Sequence, residues 1–129
     1  MIPPPESRQA RGDAAEDRAC RHLEGVGFTI VERNFRTTGG EIDIVARKGD
    51  VLVFVEVRSR GDAGFGAPEE SVTPAKRRRI VVAARRYLSG APPSSWREAR
   101  FDVIAIEGSG DAAALRHYPA AFDAHGKIL

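Results

Sequence analysis

The stretch GGEIDIVARKGDVLVFVEVRSR, residues 39–60, decides the fold. Polar and apolar residues alternate through it with the period of two that a half-buried strand requires. Gly39-Gly40 reads as a turn, residues 41–47 as a strand, Lys48-Gly49-Asp50 as the corner of a hairpin and residues 51–58 as its second strand. Strict alternation puts Glu41, Asp43 and Val45 on one face and Ile42, Ile44 and Ala46 on the other. On the partner strand it groups Leu52, Phe54, Glu56 and Arg58, with Val51, Val53, Val55 and Val57 opposite. Three carboxylates and a guanidinium are thereby gathered on a surface that should be half buried, where a charge needs a partner.

Upstream, the Pro-rich residues 1–11 are expected to be a disordered tail ahead of a single domain, 12–129. Residues 13–23, DAAEDRACRHL, read as a helix with Asp13 as its N-cap and Glu16 completing a capping-box exchange. Ala15, Ala19, Leu23 and Val26 form its apolar stripe, and Gly25 or Gly27 ends it. Glu16 shares an edge with Cys20 and Leu23, which places it beside the core. FTIVERNF, 28–35, is the first strand. Downstream, GDAGFGAPEESV (61–72) is a loop beside the hairpin's far end. Thr73 caps a second helix with Pro74 at its first position, and Gly90 with Pro92-Pro93 stops it. RFDVIAIEG, 100–108, is a fourth strand and LRHYP, 115–119, a short fifth. The order α-β-β-β-α-β-β predicts an α/β domain with a mixed central sheet flanked by helices.

At 129 residues the chain has room for one hydrophobic core. No apolar run approaches the ~20 residues of a membrane helix, and the N-terminus has no secretion-signal core. A cytoplasmic protein is expected. Cys20 is the only cysteine, which excludes an internal disulfide and a cysteine-rich metal site. The net charge of +2 is unevenly placed: from position 58 to 86 stand eight basic residues against three acids. Such a patch suits a polyanion, or is a solvated helix face.

The carboxylates admit two readings. If the hairpin brings Asp43 beside Glu56, a hard divalent cation would suit them, since Mg²⁺ takes one or two carboxylates together with waters and phosphate oxygens. Alternatively, Arg58, Arg47 or Lys76 pairs with them in a structural network. Lys76 shares a helical stripe with Ile80, Ala83 and Tyr87 that should face the sheet. It reaches either the carboxylate site, open to a ligand, or Glu56 or Glu70 as an ion pair. Arg77, Arg78 and Arg79 point outward, where they would position a nucleic-acid backbone. Asp102 reads as a structural salt-bridge acid or as a further member of the carboxylate group. His22, His117 and His125 have no zinc-ligand spacing. Trp96 reads as a plug at the sheet edge or a base-stacking ring.

An Asp on one strand, Glu-x-cation on its hairpin partner and a Glu on the preceding helix resemble the PD-(D/E)xK restriction-endonuclease-like nucleases, the archaeal Holliday-junction resolvases in particular. More closely, the chain resembles the YraN family. The resemblance rests on GDAAEDRACRHLEGVGFTIVERNFR, GEIDIVA, LVFVEVRSR, FGAPEESVTPAKRRRI and RFDVIAI, in that order, about residues 11–107. It implies a restriction-endonuclease-like αβββαβ core. It also implies a Mg²⁺- or Mn²⁺-dependent endonuclease that hydrolyses phosphodiester bonds in branched or structured DNA. On that pattern Asp43 and Glu56 hold the metal and Glu16 completes its shell, directly or through water. Arg58 stands where these nucleases have Lys, and Lys76 assists from the second helix. Glu41, in the GEID string, either ligates metal or pairs with a base. Arg60, Lys76, Arg77, Arg78, Arg79, Arg85 and Arg86 grip the DNA backbone, and a homodimer would match the two symmetric cuts of a four-way junction. The Arg at 58 departs from the pattern, because a guanidinium is always charged and cannot give up a proton. The alternative is therefore a nuclease-fold module that binds nucleic acid or a protein without cutting.

Overall fold

The hairpin read from residues 39–60 forms the middle of the sheet. The computed structural model describes residues 8–60, 72–108 and 112–128. The elements run α1 (Arg8–Gly25), β1 (Thr29–Thr37), β2 (Gly40–Lys48), β3 (Val51–Arg60), α2 (Pro74–Gly90), β4 (Glu98–Glu107) and β5 (Ala114–Phe122), with one 3-10 turn, Pro93–Ser95, before β4. The five strands lie side by side in sequence order. β3 and β4 pair in parallel and the other neighbours antiparallel, so the sheet is mixed, as expected. The parallel step needs a crossover, and α2 lies within it.

Each face of the sheet carries one helix. Under α1, Ala15, Ala19 and Leu23 pack on Ile44, Val53, Val55 and Ile104. Under α2, Ile80, Ala83 and Ala84 pack on Ile42, Val45, Leu52 and Phe54. On β3 the alternation holds as read, with Leu52 and Phe54 on the α2 face and Val53 and Val55 on the α1 face. On β2 it does not. Ile42 packs under α2 while Ile44, two residues on, packs under α1 with Ala46. A regular strand cannot do this. The reason lies on the neighbouring strand. Asn34 of β1 has φ 54°, in the left-handed region that Asn tolerates better than other side chains. It falls between the pairs Arg33 opposite Ile44 and Phe35 opposite Ile42. Arg33 reaches α1 while Phe35 packs under α2, so β1 and β2 change face together. Asp43 sits at that step.

Other local readings are corrected. Helix α1 begins at Arg8, not Asp13, so Asp13 and Glu16 lie inside it and no capping box forms there. Arg8, Gln9, Ala10 and Arg11 are good helix formers, and extending a helix is cheaper than starting one. The expected tail is thus helical over 8–11, while residues 1–7 lie outside the described residues, as do those at 61–71 of the loop. Gly27 ends α1 (φ 99°): the amides of Gly27 and Phe28 donate to Glu24 O and Leu23 O in a Schellman arrangement. Val26 falls in this turn and is exposed rather than in the stripe. The start of α2 is as read, with Thr73 Oγ1 accepting from the Lys76 amide and Pro74 in the first turn. β5 is longer than the five residues expected. Gly40 sets the distance from β2 to α2, since a Cβ there would lie 2.5 Å from Arg79 O and 2.8 Å from Ala83 N.

Candidate functional site

Backbone pairing between β2 and β3 runs from Lys48 opposite Val51 to Ile44 opposite Val55. Past that point the strands are held by a side chain: Val57 N–H donates to Asp43 Oδ2 at 2.8 Å. The face change at Ile42 and Ile44 turns Asp43 toward β3, where its carboxyl comes within hydrogen-bonding reach of Glu56. The pairing of Asp43 with Glu56 expected from the hairpin is therefore present, although Asp43 gets there by a break in alternation.

The two acids repel each other in a poorly solvated place. Burial, the Asp43 charge and the hydrogen bond to it push the Glu56 carboxyl up to about 8, against the pull of Lys76 and Arg58. Burial also raises Asp43, although the Val57 amide and Glu56 act the other way. The pair thus holds a proton more tightly than separate carboxylates would. Glu16 comes from α1, on the other side of the sheet. Burial and then the charge of Asp43 raise it, so it belongs to the same electrostatic group. Its Oε1 is buried with no hydrogen-bond partner, and Arg33 Nη2 stands 3.9 Å off.

The cations are arranged unequally. Lys76 Nζ lies 3.9 Å from Glu56 Oε1, with its side chain still 44% exposed. Both readings of Lys76 thus remain compatible in one position: paired with Glu56, and open to a ligand. Arg58 shares the Glu56 face and has a buried Nε without a partner. Glu41 is exposed and stands 4.0 Å from Arg36 Nε, so it pairs with a base. Arg77 donates to Gly126 O and Val72 O, which ties α2 to the C-terminal turn and takes this guanidinium away from the outward face expected of it. Arg85 makes a long bond to Ala124 O. Arg78, Arg79 and Arg86 are exposed. The side chain of Arg60 lies outside the described residues.

Asp102 does not join the acids. It is fully buried on the α1 face and accepts from Arg100 Nε and Nη2, both at 2.9 Å, and from the Ala120 amide at 3.0 Å. His117 Nε2 lies 2.7 Å from it, and His117 Nδ1 is 3.0 Å from His22 Nε2. Burial alone would raise Asp102, but the bonds from His117, Arg100 and Ala120 hold it below the usual carboxylate range. The two histidines, isolated in sequence, are neighbours in the fold. Sequence reading also missed Arg33 and Asn34. The only signal was an Asn within a run of strand formers. Trp96 packs against the core under α2.

Among the described residues no three His, Cys, Asp or Glu side chains form a ready cation cage. The direct donors offered are the two carboxylates, Asp43 and Glu56, with Glu16 able to act through water. Two acids pressed together and a third with an oxygen that makes no hydrogen bond leave carboxylate oxygens open to a cation. Mg²⁺ or Mn²⁺, which is content with one or two carboxylates and keeps waters, fits that donor set. No helix among the described residues is long and apolar enough to cross a membrane.

Comparison with known proteins gives the chain its relatives. A UPF0102 protein of Dechloromonas aromatica is 53% identical over 80% of this chain and 83% of its own length. One from Cupriavidus taiwanensis is 55% identical over 78% and 76%. One from Myxococcus xanthus is 46% identical over 93% and 94%. The model of the "Uncharacterised protein family UPF0102" matches residues 15–106, from α1 to β4 and so across Glu16, Asp43, Glu56, Arg58 and Lys76. The chain belongs to the UPF0102 family, the group to which its YraN-like motifs pointed.

Proposed function

We propose that this protein is a divalent-metal-dependent endonuclease acting on branched or otherwise structured DNA. The observation that carries the reading is the pairing of Asp43 and Glu56 where β2 and β3 cease to pair, with Lys76 and Arg58 beside them. Asp43 and Glu56 would hold the cation, and Glu16 would complete its shell through water. When bound, the cation supplies a water of lowered pKa and neutralises charge on the phosphodiester. Lys76 extends from the first turn of α2 over the site and contacts the scissile phosphate. Arg58 adds a fixed positive charge for the developing oxyanion. Arg58 cannot act as a base, so activation of the water would fall to the metal or to Glu56 in its ionised form. Arg78, Arg79 and Arg86 along α2 hold the sugar-phosphate backbone without reading its sequence.

The Arg at 58 also supports a second reading, a nuclease-fold module that binds DNA and does not cut. One experiment separates them. The protein is incubated with labelled four-way junction, flap, single-stranded and duplex DNA in Mg²⁺, Mn²⁺ or EDTA, beside Asp43→Ala and Arg58→Lys. Metal-dependent products that Asp43→Ala loses establish the nuclease. Binding without products in any metal, even by Arg58→Lys, establishes the module.

A further inference from the structure

At the far end of α2 from Lys76, on the same face of the sheet, opens a cleft of about 540 Å³. Its walls are Phe35 of β1, Arg47 of β2, Arg86 and Tyr87 of α2, and the turn that follows α2. No acid lines it. The Arg47 Nε is buried there with no hydrogen-bond partner, which is costly unless a ligand completes it. The Phe35 and Tyr87 rings meet edge to face, 5.3 Å between centroids, so the aromatic wall is rigid. Two other charges bear on the cleft. Glu32 of β1 is close enough to help burial raise the Tyr87 phenol, and Arg47 acts on it in the opposite sense. The C-terminus of α2 contributes about half a negative charge. Glu32 is exposed and therefore well screened, and two guanidiniums outweigh the helix end.

We infer that this cleft holds one nucleotide of the strand on which the acidic site acts, its phosphate on Arg47 and Arg86 and its base against Tyr87 and Phe35. The inference rests on the nuclease reading and specifies its substrate. Arg47 is four residues along β2 from Asp43, ~13 Å at strand rise. Arg86 is ten residues along α2 from Lys76, ~15 Å at helix rise. The cleft therefore takes a nucleotide a few positions from the scissile phosphate. A base stacked within a duplex cannot reach the two rings, so the substrate carries an unpaired arm beside the cut. Arginines that track the backbone and rings that stack bases are how proteins hold single strands.

The test measures binding and cutting separately. Fluorescence anisotropy in EDTA follows a labelled single-stranded oligonucleotide and a blunt duplex with wild type, Arg47→Ala, Arg86→Glu and Tyr87→Leu. Arg86 is exposed, so its variant remains informative even where the others fold poorly. The expected result is that Arg86→Glu and Tyr87→Leu each weaken single-strand binding about tenfold, and that each lost arginine reduces the salt slope by about one. Duplex binding changes less than single-strand binding. Variants that bind the single strand like wild type, while wild type cuts in Mg²⁺, overturn the cleft and leave the nuclease reading standing. Cleft-dependent binding by a wild type that never cuts leaves the cleft a nucleotide site and overturns the nuclease reading. A wild type that neither binds nor cuts overturns both.

Discussion

Val57 donates its amide to Asp43 Oδ2 at the point where β2 and β3 cease to pair. The carboxylate thus serves the fold as well as any ligand, and substitutions should separate the two duties. Asn keeps an acceptor for the amide and removes the charge that opposes Glu56, whereas Ala leaves a part-buried amide unpaired. Asp43→Asn should therefore be more stable than Asp43→Ala, by about 1–2 kcal/mol at pH 8, with both devoid of metal-dependent cutting. Thermal melts with EDTA decide it, and equal melting temperatures would mean that the bond does not secure the strand end.

The acid pair should make the metal-free protein less stable as pH rises. Glu56 titrates near 8 in the folded chain and near 4.5 when unfolded. Between those values the folded state binds more protons than the unfolded one. Its contribution is complete below 4.5 and is lost as pH climbs through 8. Glu56→Gln should flatten this slope and gain on the order of 2 kcal/mol over wild type at pH 9. Mg²⁺ should raise the melting temperature of wild type at pH 8 through mass action, and do so much less for Glu56→Gln. A wild-type profile flat from pH 5 to 9 in EDTA would contradict the shared proton.

The Asp102 network predicts the opposite pH response on the other face. The distances fit a neutral His22 joined through the His117 ring to Asp102, by His22 Nε2 to His117 Nδ1 and His117 Nε2 to Asp102 Oδ2. Burial, then His117 and Arg18, hold His22 below its ordinary pKa. Stability from this link is present above the unfolded value of 6.5 and is lost as pH falls below it. Asp102→Ala should cost on the order of 3 kcal/mol, because it strands a part-buried guanidinium and an imidazole. DNA cleavage, measured below the melting temperature, should persist, since Asp102 lies apart from the acid pair. Loss of cleavage in a folded Asp102→Ala protein would place it in the site after all.

Gly40→Ala tests how α2 is seated. The new methyl would meet backbone atoms of Arg79 and Ala83, which cannot rotate away. A loss of about 1–3 kcal/mol is expected, and α2 must retreat, drawing Lys76 from Glu56. Denaturant melts check the first effect. The second should appear as weaker single-turnover cutting at saturating DNA, with duplex binding little changed.

The strands, their order and the start of α2 were legible because they follow from neighbours in sequence: alternation in β3, and a Thr-Pro start signal before an apolar stripe. Glu56 and Lys76 lie where strand alternation and one helix face put them, whereas Asp43 reaches Glu56 only through the change of face in β2. What was not legible depended on distant partners. The change of face between Ile42 and Ile44 is set by the backbone of Asn34 on another strand. The capture of Arg77 depends on a carbonyl 49 residues away. His22 and His117 are 95 residues apart and meet only once the chain has folded, one on α1 and the other on β5.

By itself, then, the amino-acid order determined an αβββαββ chain, a central hairpin with acids on both strands, and a basic second helix, all from periodicity and short-range turn chemistry. Tertiary structure decided which acids share a proton, which arginines are tied to carbonyls and which remain open, and where a second, aromatic-walled cleft lies. These depend on burial and on contacts between residues far apart in the chain. A carboxylate's proton affinity and a guanidinium's freedom are set by what the fold places around them, and no local pattern in the sequence records that.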